Sequence, residues 1–209
     1  MPVSPAPRGM TTGSRIARAP LRDTLRERRQ RIAPPARIAA AQSLARRLLS
    51  LPFDVPPGPV AGYWALDGEI ALHAWQLGLP PGSVYCLPVL TGDTLSFAPW
   101  RPGDKLASNR YGIPEPVIAP GELLPPSAMA LVVMPLVGFD LQGRRLGMGG
   151  GWYDRSFAFR QAGAPPPLLV GAAFAAQQVD AIAPEPWDVD VDAVCTEDAT
   201  HTFPRRTPD

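Results

Sequence analysis

The segment GRRLGMGGGWYDR, Gly143 to Arg155, carries the densest chemistry in the 209-residue chain. Four glycines in five positions, Gly147, Gly149, Gly150 and Gly151, let the backbone take positive φ angles. Successive N–H groups can then turn into one concave anion nest. Arg144 and Arg145 add forked donors that suit phosphate oxygens, and a helix starting just beyond would add partial positive charge. Neither standard nucleotide signature is present. Trp152 stands where GxGxxG needs its last glycine, and the single lysine, Lys105, precedes Leu106, which excludes a Walker loop. The plainer reading is a flexible glycine-rich turn; the flanking arginines and Asp154 favour a phosphate cradle.

Asp154 and Asp188 are the carboxylates that could hold Mg²⁺, which takes one or two carboxylates together with phosphate oxygens and retained water. Asp154 could equally be a first-turn helix aspartate. Asp188, Asp190 and Asp192 mimic the first positions of a calcium loop, but Ala193 and Ala199 stand where that loop needs glycine and glutamate. Asp190 and Asp192 read best as a solvated strand face. Glu69 is expected to open a short helix at the end of a strand, as a cap or as a ligand group. His73 and His201 lack partners at hydrolase or metal spacing, and no Ser-His-Asp or Cys-His arrangement is discernible, which disfavours covalent nucleophilic catalysis.

The elements that position these residues alternate. The spacing predicts a basic helix over 21–32, read as a solvated face with one or two arginines able to reach a phosphate. A second helix follows Pro34-Pro35, with Ile38, Ala41, Ala45 and Leu48 on one face. Strands are expected over 60–66, 84–90, 95–100, 131–135, 168–174 and 193–196, with helices over 69–77 and 153–161. This pattern implies an α/β fold: three layers, a mostly parallel sheet, helices on both faces. Its ligands would bind beyond the carboxyl ends of the strands. The single domain is expected over 18–200, between a disordered arm at 1–17 and a flexible tail at 201–209.

Hydrophobic residues make up 45% of the chain, enough for a core, and the net charge of +1 argues against a nucleic-acid or membrane-surface protein. No stretch resembles a signal peptide or membrane span, so a cytoplasmic monomer without nucleic-acid or membrane partners is expected. Cys86 and Cys195 sit in apolar stretches and read as reduced core residues.

With the residues in view, the chain from Arg18 to Glu197 resembles the 5-formyltetrahydrofolate cyclo-ligase family, also called methenyltetrahydrofolate synthetases. The resemblance rests on Gly143 to Arg155 preceded by Met134 to Asp140. It is supported by Asp67-Gly68-Glu69-Ile70, Tyr111 to Pro116, Gly171 to Gln177, and Pro184 to Asp188 with Thr196-Glu197. It implies the sugar-isomerase and CoA-transferase type of three-layer fold. It further implies ATP contacts from Arg18, Arg22, Arg145, Leu146, Gly147, Met148, Gly149, Gly150, Gly151, Trp152 and Tyr153. Folate contacts are implied from Trp64, Glu69 and Met148 to Trp152, and Mg²⁺ ligands at Asp154 and Asp188. Arg145 and Tyr153 would stand at the reacting atoms. The family usually has lysine where Arg18 aligns, and this chain prefers arginine nearly everywhere. The implied reaction closes 5-formyltetrahydrofolate to 5,10-methenyltetrahydrofolate at the expense of ATP. A non-catalytic binder of a phosphorylated metabolite on the same fold is the alternative, and an RNA-binding role for the arginine helix a weaker one. A carboxylate pair for Mg²⁺ favours the enzyme.

Overall fold

Runs of apolar residues flanked by Pro and Gly build one seven-stranded sheet in this computed structural model, which describes residues 18–204 except residue 164. The expected arm at 1–17 lies outside the described residues. The strands are β1 (Val60–Ala61), β2 (Tyr85–Thr91), β3 (Thr94–Pro99), β6 (Leu131–Pro135), β9 (Leu168–Ala172), β10 (Ala193–Cys195) and β11 (Thr200–Thr202). Their order is β11-β10-β9-β6-β1-β2-β3. The middle five run parallel, with Val60 beside both Tyr85 and Leu131, and Leu131 beside Leu168. The two edge strands pair antiparallel. Two hairpins stand outside the sheet, β4 (Leu106–Ser108) with β5 (Pro114–Pro116), and β7 (Gly138–Phe139) with β8 (Arg145–Leu146). β11 carries the fold two residues past the expected domain end at 200.

Alternation along the buried strands divides the core between the two faces. Leu131 and Val133 pack under α2 (Pro34–Leu49) and α3 (His73–Gly78), through Leu44, Leu48 and Trp75. Val132 and Met134 face the other way, onto Phe139, Phe157 and Val189. That second layer is thin, with only α4 (Trp152–Ser156) and a 3₁₀ turn at Ala158–Arg160. The N-terminal helix α1 (Arg18–Gln30) is fixed separately, by Leu25 packing on Val137, Leu146 and Ile182 beside the β7–β8 hairpin.

Several sequence expectations need correction. The 60–66 strand keeps only two ladder residues. Gly62 N–H still bonds Cys86 O (3.1 Å), and the Tyr85 hydroxyl fills the space a side chain at Gly62 would take. The helix expected from Glu69 starts at His73. Residues Leu66 to Glu69 instead close a tight turn, with positive φ at Asp67 (48°) and Gly68 (75°) and a 2.8 Å bond from Glu69 N–H to Leu66 O. The buried stripe of α2 keeps the expected Ala45 and Leu48, adds Ala40 and Leu44, and leaves Ile38 63% exposed. The helix expected over 153–161 breaks after Ser156. That hydroxyl donates back to Trp152 O (2.6 Å) while accepting from Leu95 N–H (2.7 Å), which competes with continued helix.

Asp192 is not on a solvated face. It accepts from Arg160 Nη2 on both oxygens (3.0 and 2.8 Å) and from Leu169 N–H (2.8 Å), with Arg160 itself buried. Removing one partner of a buried pair strands the other charge. Asp192→Ala is therefore expected to destabilise the protein by about 3–5 kcal/mol in urea unfolding; a loss under about 1 kcal/mol would assign this pair to the ordinary surface class.

Candidate active site

The chain segments leaving β1, β6 and β9 all emerge at the carboxyl ends of the parallel strands, and the chemistry collects there. The β7–β8 hairpin follows β6 and is shaped by Asp140. This fully buried carboxylate accepts from the N–H groups of Gln142 (2.9 Å), Arg144 (3.1 Å) and Ile182 (2.8 Å). It thereby fixes the start of the glycine segment.

The two adjacent arginines serve different ends. Arg144 donates to Ile182 O (3.2 Å) and lies 4.0 Å from Asp140, so it braces the hairpin and does not join a phosphate fork. Arg145, on β8, is buried and reaches inward. Its Nε donates to Val189 O (3.0 Å) and its Nη2 to Asp154 Oδ1 (2.5 Å), and Asp154 Oδ1 also accepts from Val189 N–H (3.2 Å). This ties β8, α4 and the chain after Asp188 to one point. Leu146 turns its side chain into the core, so only its backbone can serve a ligand.

Of the four loop glycines, Gly149 (φ 103°) and Gly151 (φ 65°) require their residue type, and Gly151 caps α4 in the left-handed conformation. With five residues, α4 is too short for a full macrodipole, so backbone N–H groups and arginines dominate the local field. The arginines come from α1. Arg18, Arg22 and Arg26 recur every fourth residue along one face. Arg22 Nε donates to Gly147 O (2.8 Å), and Arg26 Nη2 approaches Met148 O (3.5 Å). Arg18 holds both oxygens of Asp188 and also donates to Ala183 O (2.7 Å through Nη2). Asp188 further accepts from Glu185 N–H (2.8 Å). The hydrogen bond to Asp188 raises the Arg18 pKa, and Asp154 adds to the effect, so both aspartates lie within its field.

The donor set fits Mg²⁺ of the phosphate-bound kind. Among the described residues no group of three or more His, Cys, Asp or Glu could cage a metal, whereas two carboxylates completed by phosphate and water are the usual Mg²⁺ arrangement. Asp154 Oδ2 accepts no hydrogen bond among the described residues.

A second group of residues follows β1. Trp64, 38% exposed, meets Trp100 edge-on at 5.8 Å. Glu69 accepts from Leu66 N–H (3.1 Å) and lies 3.9 Å from Arg29 Nη1, its side chain 9% exposed. Burial pushes its pKa up to about 7, against the pull of the Leu66 N–H and Arg29. Tyr153, stacked on Phe157, feels the Glu69 charge, and burial holds its hydroxyl protonated. Glu69 and the glycine loop therefore face a common region. Trp152 is flanked by Tyr111 (6.2 Å), Arg110 (5.3 Å) and Arg155 (5.1 Å), which puts the β4–β5 hairpin against the loop.

Arg26, Arg29, Arg110 and Arg155 were not among the sequence-derived site residues. The repeat 18-22-26 could have found Arg26. Arg29 continues the apolar Leu21–Leu25 stripe at helical spacing, an unusual place for a cation.

A mostly parallel sheet with a glycine loop, arginines and carboxylates gathered beyond its strand ends defines an open α/β protein. A profile of the 5-formyltetrahydrofolate cyclo-ligase family matches residues 15–197. The chain is 35% identical to the 5-formyltetrahydrofolate cyclo-ligase of Escherichia coli (strain K12) over 180 residues, 82% of this chain and 96% of that one. It is likewise 35% identical to the Haemophilus influenzae cyclo-ligase over 177 residues, covering 82% and 93%. The solution structure of Aquifex aeolicus 5,10-methenyltetrahydrofolate synthetase superposes with a TM-score of 0.76 at 27% identity, covering 92% of this chain and 96% of that one. The chain belongs to the 5-formyltetrahydrofolate cyclo-ligase family and is an enzyme.

The buried Glu69 makes stability depend on pH. Its folded pKa lies above the unfolded value, so the folded state binds the extra proton, and stability falls as pH rises from about 4.5 to about 7. A shift from 4.5 to about 7 corresponds to about 3 kcal/mol at about 1.36 kcal/mol per unit. Glu69→Gln should therefore gain up to about 3 kcal/mol on the wild type between pH 5 and pH 8 in urea unfolding. Parallel stability–pH curves for the two proteins would contradict the buried, proton-accepting carboxylate.

Proposed function

We propose that the protein uses ATP and Mg²⁺ to cyclise 5-formyltetrahydrofolate to 5,10-methenyltetrahydrofolate, releasing ADP and phosphate. What supports this reading is that Arg22 bonds the glycine loop, Arg18 bonds Asp188, Arg145 bonds Asp154, and Tyr153 lies in the field of both Glu69 and Arg145. Phosphoryl transfer asks the protein for position and charge neutralisation, and that is what such a set supplies.

ATP phosphates would lie against the backbone from Leu146 to Tyr153, with Arg18, Arg22 and Arg145 as donors. Asp154 and Asp188 would hold Mg²⁺, which when bound neutralises phosphate charge. In this reading Arg18 and Arg145 exchange carboxylate oxygens for phosphate oxygens when the nucleotide enters. The folate pterin would lie among Trp64, Trp152 and Met148, against Gly149 to Gly151, with Glu69 accepting from pterin N–H groups. The formyl oxygen attacks the γ-phosphorus and expels ADP; nitrogen 10 then attacks the activated formyl carbon. Nitrogen 10 loses its proton and phosphate leaves with the former formyl oxygen, closing the ring. Arg145 stabilises the charge on the transferring phosphoryl group, and Tyr153, kept protonated, donates a hydrogen bond there.

The decisive assay follows methenyl product by absorbance. Product should form only with both ATP and Mg²⁺; full turnover in EDTA, or without nucleotide, would refute the reaction.

Asp154→Asn retains an acceptor for Val189 N–H but removes the charge. Turnover is expected to fall about 10²-fold or more, the scale seen when charge stabilisation of a transition state is lost. An unchanged rate and Mg²⁺ dependence would make Asp154 a structural partner of Arg145 alone.

Glu69→Gln replaces one acceptor oxygen with a donor. Charge-assisted hydrogen bonds contribute about 1.5–3 kcal/mol, so folate should bind about ten- to hundredfold more weakly. ATP affinity should stay constant, as separate titrations would read; the reverse pattern would move Glu69 to the nucleotide side.

A further inference from the structure

Arg29 is the most completely buried cation among the described residues, 1% exposed on the face of α1 that also carries Leu25. Its Nε, Nη1 and Nη2 are all buried without a hydrogen-bond partner. Such a guanidinium is costly to enclose unless an opposing charge compensates it. Within salt-bridge distance stands one carboxylate, Glu69, at 3.9 Å. No backbone carbonyl shares the guanidinium, in contrast to Arg37, whose fork is spent on the carbonyls of Arg29, Ile32 and Gly68.

We propose that Arg29 is a positioning residue of the folate side of the site: its undivided positive charge keeps the Glu69 carboxylate ionised and in place for the pterin N–H groups. The inference rests on the reading of Glu69 given above. Glu69 is faced by Arg29 from α1, by Asp67 from its own turn, by Tyr63 from the loop after β1 and by Tyr153 from α4. Burial pushes both tyrosines up, so neither carries charge near neutrality. Asp67 opposes ionisation of Glu69, which leaves Arg29 as the cation that favours it. Burial outweighs the pull of Arg29 and the Leu66 N–H, so Glu69 is still pushed up to about 7 with Arg29 present. Without that cation the carboxyl would stay protonated at neutral pH, and a protonated carboxyl offers one acceptor fewer to the ligand.

The test is titration of 5-formyltetrahydrofolate, without nucleotide, into wild type, Arg29→Met, Arg29→Lys and Glu69→Gln between pH 5.5 and pH 9. Wild-type affinity should rise with pH through about 7, where Glu69 ionises. Arg29→Met keeps the apolar stem and removes the charge. Its midpoint should move up by about one unit or more, giving binding about fivefold or more weaker at pH 7 that recovers towards pH 9. Arg29→Lys should keep the wild-type profile, and ATP affinity should be the same in all four proteins.

A merely structural Arg29 would weaken folate equally at every pH, and that outcome overturns the proposal. So does an Arg29→Met profile that coincides with the wild type while Glu69→Gln loses folate. If Glu69→Gln binds folate normally, the placement of Glu69 itself has failed, which separates the two errors. Should Arg29→Met not fold, the wild-type profile still decides, because affinity that is flat from pH 5.5 to pH 9 excludes a titrating Glu69.

Discussion

The ion pair of Arg145 with Asp154 joins, at one point, three segments that the core packing of Phe139, Phe157 and Val189 brings side by side. Arg145 sits on a hairpin strand, Asp154 in the first turn of a five-residue helix, and both bond the backbone of Val189. A helix so short cannot persist on its own intrahelical bonds, since the first turn is the costly one. Its placement is set by Phe157 in the core below and by the aspartate above. The glycine loop therefore hangs between two fixed ends, which is how a segment of such freedom can present an ordered row of N–H groups.

The ion pairs of this molecule differ in how they are held. Arg18 and Asp188 meet through hydrogen bonds with part of each group still wet, and the buried Arg145 donates to Asp154. Arg29 and Glu69 are nearly dry and make no hydrogen bond to each other. There a small change in charge is felt strongly, because little solvent screens it. The molecule thus holds charge pairs of two kinds, some fixed by hydrogen bonds and one by proximity alone.

Much of this was legible in the residues. The buried strand 131–135 is bounded as its apolar run predicts, and the glycine segment lies at the carboxyl end of the sheet as strand-helix alternation requires. What the sequence hid was side-chain partnership. Arg144 and Arg145 look equivalent in one dimension, yet one faces the hairpin's own turn and the other the cleft, because neighbouring residues at a strand end point to opposite sides. Arg29 read as solvated since five arginines crowd its helix, and only docking of Leu25 decides which of them is enclosed. Asp192 was misjudged for the same reason: its partner Arg160 lies 32 residues away.

The clasp of Arg18 on Asp188 spans 170 positions of the chain. Made 170 positions earlier, Arg18 must wait for Asp188 before it finds its carboxylate, an interval of about 10–35 s at about 5–20 residues per second. Throughout that interval Leu25 and its cationic neighbours stand beside an unfinished sheet. The β2–β3 hairpin at one edge of the sheet and its neighbour β1 are complete by residue 99, whereas the clasp needs Asp188. A growing chain can consequently pair its first strands well before Arg18 meets its carboxylate.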